Sequence, residues 1–384
     1  MKVAVTTLAF CVASLLALGL VMLYSSSMVM LDRHTHSEIG AHFLMMQLVW
    51  CVLGFGLCMA AAAVDYQLFK KFAWPFFIFA LFLLALVLEK HLGVVRGNAR
   101  RWFSFHGISF QPSEVGKIAL IIVLAWYGDR FQRRMRTFKW GVLLPILIIA
   151  GELVLIFREP DWGTTFLLAA VGGAMLLLAG TQWKFFIPPM ILAVAGTVFM
   201  LLHNPMRMNR IFSWLHVEET KTGVGMQGYQ AMIALGSGGW TGLGLGNGRQ
   251  KLGWVSEHHT DFIFSIIGEE LGLIATLLVV AAFFVIALCG IYIALHARDT
   301  FGTLLATGIT LLISLQAAIN IGVVTSALPN KGLALPFISY GGSSMVVMLA
   351  CVGILLSIAR QAVPAKVAVS DFDSTGNPFA AKAA

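Results

Sequence analysis

Charge is scarce in this chain: only 11% of its 384 residues are Asp, Glu, Lys or Arg, less than half the roughly 25% usual in soluble domains. That shortage excludes a soluble globular protein of this length, whose surface needs far more polar groups to stay in water. Cysteine is also sparse. Cys11, Cys51, Cys58, Cys289 and Cys351 all fall inside apolar runs, which excludes a disulfide framework or a thiolate zinc site and leaves packing as their role. The adjacent His258 and His259 lack the i, i+4 spacing of a helical zinc site. No alternating ten-residue pattern is present, which excludes an outer-membrane barrel, and no internal repeat recurs at a fixed period. The first apolar run ends at Tyr24-Ser25-Ser26-Ser27 without an A-x-A cleavage site, so a retained first helix is expected rather than a signal peptide.

What the chain has instead is apolar residues, 59% of the total, gathered in runs of about twenty, the length that crosses roughly 30 Å of hydrocarbon. Lipid supplies no hydrogen-bond partners, so each run must satisfy its own backbone as a helix. Spans are expected near 4–25, 42–64, 72–89, 115–128, 140–157, 164–181, 184–203, 261–295, 301–325 and 339–361. The expected fold is therefore an all-α integral membrane protein, a bundle of about ten transmembrane helices in one polytopic domain over residues 1–362. The stretch 204–260 between helices 7 and 8 is long for a connection. Its aromatics (Phe212, Trp214, Tyr229, Trp240, Trp254) and the Gly-rich segment 236–248 point to a folded cap over the outer mouth. Residues 363–384 have no apolar face and are expected to be a disordered tail.

The net charge of +8 implies orientation loops and anionic headgroups as its counterparts, not nucleic acid. Lys and Arg divide evenly between the two sides of the proposed topology. However, Arg130, Arg133, Arg134, Arg136 and Lys139 crowd one short loop, and short loops weigh most in the positive-inside rule. Both termini are accordingly expected in the cytoplasm, with 204–260 extracytoplasmic.

Ionisable residues near hydrocarbon are costly, so those present carry information. The densest set is Glu257-His258-His259-Thr260-Asp261-Phe262, followed by Glu269 and Glu270. Asp261 has two readings: a carboxylate poised for chemistry at the membrane boundary, or with Thr260 a simple helix N-cap. Arg96, Arg100 and Arg101 precede Gln111-Pro112-Ser113-Glu114 and Lys117, where Pro112 and Ser113 mark a helix start and Glu114 and Lys117 share a face. These arginines either snorkel at the interface or grip phosphate through their guanidinium forks, and the Glu114–Lys117 pair reads equally as a surface ion pair. Arg158-Glu159-Pro160-Asp161-Trp162-Gly163-Thr164 is a charged turn between two helices. Arg210, Lys221, Arg249 and Lys251 are solvated loop charges or further pyrophosphate contacts. Lys331 to Ser344 combines a cation, Pro and paired Gly before a helix start, a pattern able to expose N–H groups to an anion. Glu152 stands alone inside the fifth span.

The order and wording of these segments resemble the SEDS family, the shape, elongation, division and sporulation proteins. The segments are Tyr24-Ser-Ser-Ser27; Arg100-Arg-Trp102 with Phe110-Gln-Pro-Ser-Glu114 and Lys117; Glu159-Pro-Asp-Trp-Gly-Thr164; Gly228-Tyr-Gln230 with Gly238-Gly-Trp240; His259-Thr-Asp-Phe-Ile-Phe264 with Glu269-Glu-Leu-Gly272; and Leu335-Pro-Phe-Ile-Ser-Tyr-Gly-Gly-Ser-Ser344. Asn320-Ile-Gly-Val-Val-Thr325 and Pro329 to Pro336 resemble the division type more than the elongation type. Ser256, where the family has Pro, and Trp162, where it has a smaller apolar residue, depart from the pattern.

The resemblance implies a ten-helix fold in the bacterial cytoplasmic membrane and a glycosyltransferase that polymerises lipid II into glycan strands outside it, releasing undecaprenyl pyrophosphate. It implies that Asp261 is the catalytic residue, as general base. Arg101, Lys117, Arg210, Lys331 and Ser343 are then the candidates for substrate binding, with Glu114, Glu257, His259, Gln230 and Asp161 in support. No metal site is defined, although a divalent cation such as Mg or Mn fits a pyrophosphate reaction. Expected partners are a class B penicillin-binding protein and other membrane proteins of the division or elongation machinery. The rival readings are a lipid II flippase, an elongation-type polymerase and a non-catalytic scaffold. A transporter places charges near the midplane and often shows paired halves, whereas here ionisable residues gather on the proposed outer side.

Overall fold

Ten apolar runs with no partner in lipid for their backbone become ten crossing elements. The computed structural model describes residues 1–27, 39–89, 93–96, 99–105, 108–221, 223, 225–251 and 259–362. Helices α1 (Lys2–Ser27), α2 (Ile39–Ala63) and the short α3 (Gln67–Lys71) are followed by α4 (Ala73–Val87). Strands β1 (Val94–Arg96), β2 (Ala99–Phe105) and β3 (Ile108–Phe110) lead into α5 (Pro112–Arg130). Next come α6 (Leu144–Arg158, preceded by a π-turn over Lys139–Leu143), α7 (Trp162–Leu178) and α8 (Ile187–Leu202). Two helices, α9 (Pro205–Leu215) and α10 (Met226–Ser237), precede the long α11 (Ile263–Leu295), then α12 (Thr300–Val324) and α13 (Gly342–Arg360).

Seven of the described helices are long and apolar enough to cross a membrane, and α4 and α7 are shorter apolar helices. The tenth crossing element is α5, whose 19 residues include Glu114, Lys117, Asp129 and Arg130. These ten occupy the ten positions expected from the apolar runs. Proline sits in the first turn of α5, α6, α8 and α9, where its missing N–H has no helical partner to lose.

The bundle is built around α5, α12 and α13, which are largely buried. α13 lies against α2, with Gly353 facing the main chain of Cys58 so closely that no side chain fits between them; such small-residue contacts let membrane helices approach. At the periphery, α8 has no buried residue and shows Met190, Leu192 and Phe199 more than half exposed. An apolar exterior of that kind is stable only in lipid. All five cysteines are unpaired and lie within the packed spans.

Three features depart from the expected organisation. Strands β1, β2 and β3 form a small antiparallel sheet in that order, with Phe103 opposite Phe110 and Ser104 opposite Ser109; its alternation is too short to stand out beside the apolar runs. The stretch 204–260 carries α9 and α10, two helices that its modest hydrophobicity conceals. The tail 363–384 and residues 252–258, among them Ser256 and Glu257, lie outside the described residues.

The third departure is inside α11. Gly272 has φ 77° and ψ −173°, so the element is two helical pieces meeting at a break rather than one continuous span. A break frees main-chain groups that lipid cannot satisfy, and the Gly-rich segment supplies their partners. Leu243 and Gly244 N–H donate to the carbonyls of Glu269 and Glu270 at 3.0 Å each, while Leu273 and Ile274 N–H donate to Gly239 and Trp240 at 2.9 and 3.2 Å. The glycines are required here for room and for handedness. Gly242 has φ 82°, and any Cβ on it would meet the Glu270 carbonyl. Residues 238–244 therefore plug a helix break, where a cap over the mouth was expected.

Two carboxylates lock this plug. Glu269 accepts the main-chain N–H of Arg249 at 2.7 Å and of Gln250 at 3.2 Å. Lys251 Nζ lies 2.7 Å from Glu270 Oε1 and donates to the Ser25 carbonyl at 3.0 Å, with side chains only 1% and 0% exposed. Ser25 Oγ and Gly246 N–H donate to the other Glu270 oxygen. The end of α1, the plug and the first piece of α11 are thereby one unit.

Candidate active site

The end of the bundle that holds Ser25, remote from Met1 and Arg360, collects the starts of α5, α7, α11 and α13 and the ends of α4, α6 and α12. Most candidate residues lie on or beside these termini, while Arg101 comes from β2, Arg210 from α9 and Gln230 from α10.

Asp161 is the N-cap of α7: its carboxylate accepts Thr164 N–H at 3.2 Å and Thr164 Oγ1 at 3.0 Å. Arg101, projecting from β2, places Nη1 3.8 Å from Asp161 Oδ2 and donates from Nε to the Glu159 carbonyl at 2.7 Å, with Nη2 reaching Pro160 O. Gln111 joins this group to α13: its Nε2 donates to Asp161 Oδ2 at 3.4 Å and its N–H to Ser343 Oγ at 3.3 Å. Arg101, Asp161 and Ser343 are thus one cluster, and Gln111, given no role from sequence, is its link. Arg101 is anchored by these neighbours and remains a quarter exposed.

Lys117 is placed differently. Its Nζ lies 2.7 Å from Glu114 Oε2 and donates to Gln316 Oε1 at 3.1 Å, with the lysine 1% exposed. The surface ion pair is therefore a buried one, and Lys117 has no open face toward a ligand in this arrangement. Gln316 Nε2 passes the connection on to the Ala334 carbonyl at 2.9 Å.

Asp261 sits in the turn before α11. The N-cap position of α11 belongs to Phe262, one residue after Asp261. The Asp261 side chain is half-buried and lies against Gly332, where a Cβ would come within 2.6 Å of Oδ2. The neighbouring Lys331 extends over the Phe166 ring, Nζ 3.9 Å from the centroid, and burial pushes its ammonium below the usual 10.5. Phe166 ends a row of rings with Trp162 and Phe157, at centroid separations of 5.9 and 4.7 Å, which accommodates the unusual Trp162. The His259 ring lies between Phe43 and Tyr340, at centroid distances of 5.4 and 6.1 Å.

Arg210 is exposed on α9, and Trp214 of the same helix donates to the Ser326 carbonyl at 2.8 Å. Arg210, Ser213, Ser326 and Asn330 line a shallow polar crevice beside the α12–α13 connection. Gln230 is half-buried on α10, whose Gln227 accepts from Asn330 at 3.3 Å. Gln316, Asn320 and Ser339 received no role from sequence. The first two are polar residues i, i+4 in an otherwise apolar span, and that spacing was the available signal.

Two further acids lie on α6 and at its end. Glu152 is fully buried beside Gly116, and neither of its oxygens finds a partner among the described residues. Glu159 is equally buried, and burial, reinforced by Asp161 and opposed by Arg101, pushes its carboxyl up to about 9. Between the ordinary 4.5 and about 9 the folded chain holds a proton that the unfolded chain has lost, so stability falls as pH rises through that window. Glu159→Gln is expected to unfold at a higher temperature than the parent at pH 8, with the difference closing by pH 5, when detergent-solubilised protein is followed by tryptophan fluorescence. Equal pH dependence in both proteins would contradict a protonated Glu159.

Among the described residues no group of three His, Cys, Asp or Glu side chains is placed to hold a metal ion.

Fold and site together define a multi-pass membrane protein with a polar, partly buried cluster at one end of its helices. The chain belongs to the cell cycle protein family of FtsW, RodA and SpoVE, whose family model matches residues 6–363. It is 42% identical to a probable peptidoglycan glycosyltransferase FtsW of Trichlorobacter lovleyi over 91% of both chains. It is 37% identical to the stage V sporulation protein E of Bacillus subtilis over 90% of this chain and 94% of that one. Among solved structures, a chain of a peptidoglycan synthase complex superimposes with a TM-score of 0.76 at 24% identity, covering 92% of this chain and 96% of its own. RodA of Thermus thermophilus superimposes with a TM-score of 0.66 at 24% identity, over 93% and 97%.

Proposed function

We propose that this chain is a peptidoglycan glycosyltransferase that polymerises lipid II into glycan strands at the outer face of the bacterial cytoplasmic membrane during division. The observation that carries the reading is Asp261: a half-buried carboxylate on the turn before α11, at the same end of the bundle as Arg101, Arg210 and Lys331. The names of the family relatives support the activity, and the division role follows the FtsW-named relatives.

In this mechanism the 4-hydroxyl of the acceptor N-acetylglucosamine attacks C1 of the donor N-acetylmuramic acid with inversion. Asp261 takes the hydroxyl proton as the new C1–O bond forms. The bond from C1 to undecaprenyl pyrophosphate breaks, and the pyrophosphate leaves with the bonding electron pair. Cations near the departing group stabilise its charge where water is scarce; in this reading Arg101, Arg210 and Lys331 serve that role, with Ser343 and Asp161 holding the Arg101 cluster. Lys117 supports the core from its buried pair with Glu114. No step is routed through a metal.

Both termini are assigned to the cytoplasm, which sets the Asp261 end outside. The expected partner is a class B penicillin-binding protein, which would cross-link the strands as they emerge. The test is glycan-strand formation from purified chain and lipid II, with and without that partner, read by gel electrophoresis of labelled products. Polymer in either condition supports the reading, and its absence in both overturns it.

A further inference from the structure

Three successive main-chain carbonyls around Asp261 are held by donors that come from elsewhere in the fold. Tyr340 N–H donates to His259 O at 3.0 Å, Ser339 Oγ to Thr260 O at 2.6 Å, and Asn320 Nδ2 to Asp261 O at 2.8 Å. Helical bonding begins one residue later, with Ser265 N–H to Phe262 O at 3.0 Å. The residue bearing the carboxylate thus lies outside the helix, and its backbone is set by a bed of α12 and the α12–α13 connection.

The bed is itself cross-braced. Asn320 uses its second amide hydrogen on Leu333 O at 2.6 Å, and Ser339 Oγ accepts Leu335 N–H at 2.8 Å. One amide therefore ties the Asp261 carbonyl to the strip carrying Gly332, the glycine against which the Asp261 carboxylate rests. Asn320 is 1% exposed, and its own oxygen finds no donor among the described residues. Burying an amide with one end unpartnered is costly, so stability alone does not select asparagine here. Its geometry serves two carbonyls on either side of the carboxylate.

We infer that Asn320 and Ser339 are positioning residues for Asp261, fixing the turn so that the carboxylate meets the acceptor hydroxyl at a set distance and angle. This rests on the reading of Asp261 as the base. Neither side chain touches substrate in this role. A displacement of about 1 Å at a reacting group lowers rate as much as a hundredfold, while the affinity for lipid II, set by cations elsewhere, is little affected.

The test uses full-length Asn320→Leu and Ser339→Ala, purified in detergent beside the parent and Asp261→Asn, with steady-state polymerisation of lipid II measured across pH. Positioning predicts that kcat falls about ten- to a hundredfold with KM within about twofold, since only a transition-state contact is disturbed. The acid limb of the kcat–pH profile should also move, because the carboxylate sits in altered surroundings. A general packing defect would instead lower the yield of active protein and leave that limb in place. Should Asn320→Leu fail to fold, Ser339→Ala, which removes one hydroxyl, carries the test alone. If Asp261→Asn is inactive while a folded Ser339→Ala keeps parental kcat and pH profile, the positioning claim is wrong and the base assignment stands. If Asp261→Asn polymerises at the parental rate, both are wrong.

Discussion

Asp261→Asn is expected to reduce glycan-strand formation by about a hundred- to ten-thousandfold while leaving the protein folded and able to bind lipid II. The amide has the shape of the carboxylate, so it fits the notch at Gly332. The bonds from Asn320, Ser339 and Tyr340 to the main-chain carbonyls of this turn are the same in both proteins. What the amide lacks is a basic oxygen able to take the hydroxyl proton as the new bond forms. Purified variant and parent should therefore have similar unfolding temperatures and similar lipid II binding, and differ in polymer alone. Parental polymerisation by Asp261→Asn would remove the general base from the mechanism.

The second large effect is on stability and comes from the other side of α11's first piece. Lys251→Met is expected to destabilise the chain by about 3–5 kcal/mol, because it leaves the Glu270 carboxylate buried without its counter-charge. Ser25 and Gly246 still donate to that carboxylate, but two neutral donors do not replace an ammonium. Glu270→Gln, which strands the Lys251 charge instead, should cost a similar amount. The double variant Lys251→Met/Glu270→Gln should recover most of the loss, since no charge is then left buried and the new amide still accepts from Ser25. Denaturation of the three variants in mixed micelles, analysed as a double-mutant cycle, measures the coupling. Additive losses in the double variant would show that the pair is not coupled.

Much of the bundle could be read from the residues because membrane insertion is a local constraint: every run of about twenty apolar residues must be helical wherever its neighbours lie. The helices of 204–260 were not legible for the same reason, since α9 and α10 owe their stability to docking rather than to insertion. The break at Gly272 was hidden inside an apolar run, and its partners are some thirty residues upstream in a segment whose glycines looked like a cap. For the site, Asp261, Arg101, Asp161 and Ser343 could be named from their motifs. The burial of Lys117, the orphaned oxygens of Glu152 and the roles of Gln111, Asn320 and Ser339 could not, because each depends on which helix faces which.

By itself, then, the order of residues determined a helical membrane protein with ten spans, their approximate limits and the short list of charges too costly to keep without purpose. Tertiary structure alone decided which of those charges pair inside the protein and which remain open to a ligand. The reason is physical: crossing the bilayer is settled within one segment, whereas desolvating or exposing a charge depends on side chains supplied by segments far away in the chain.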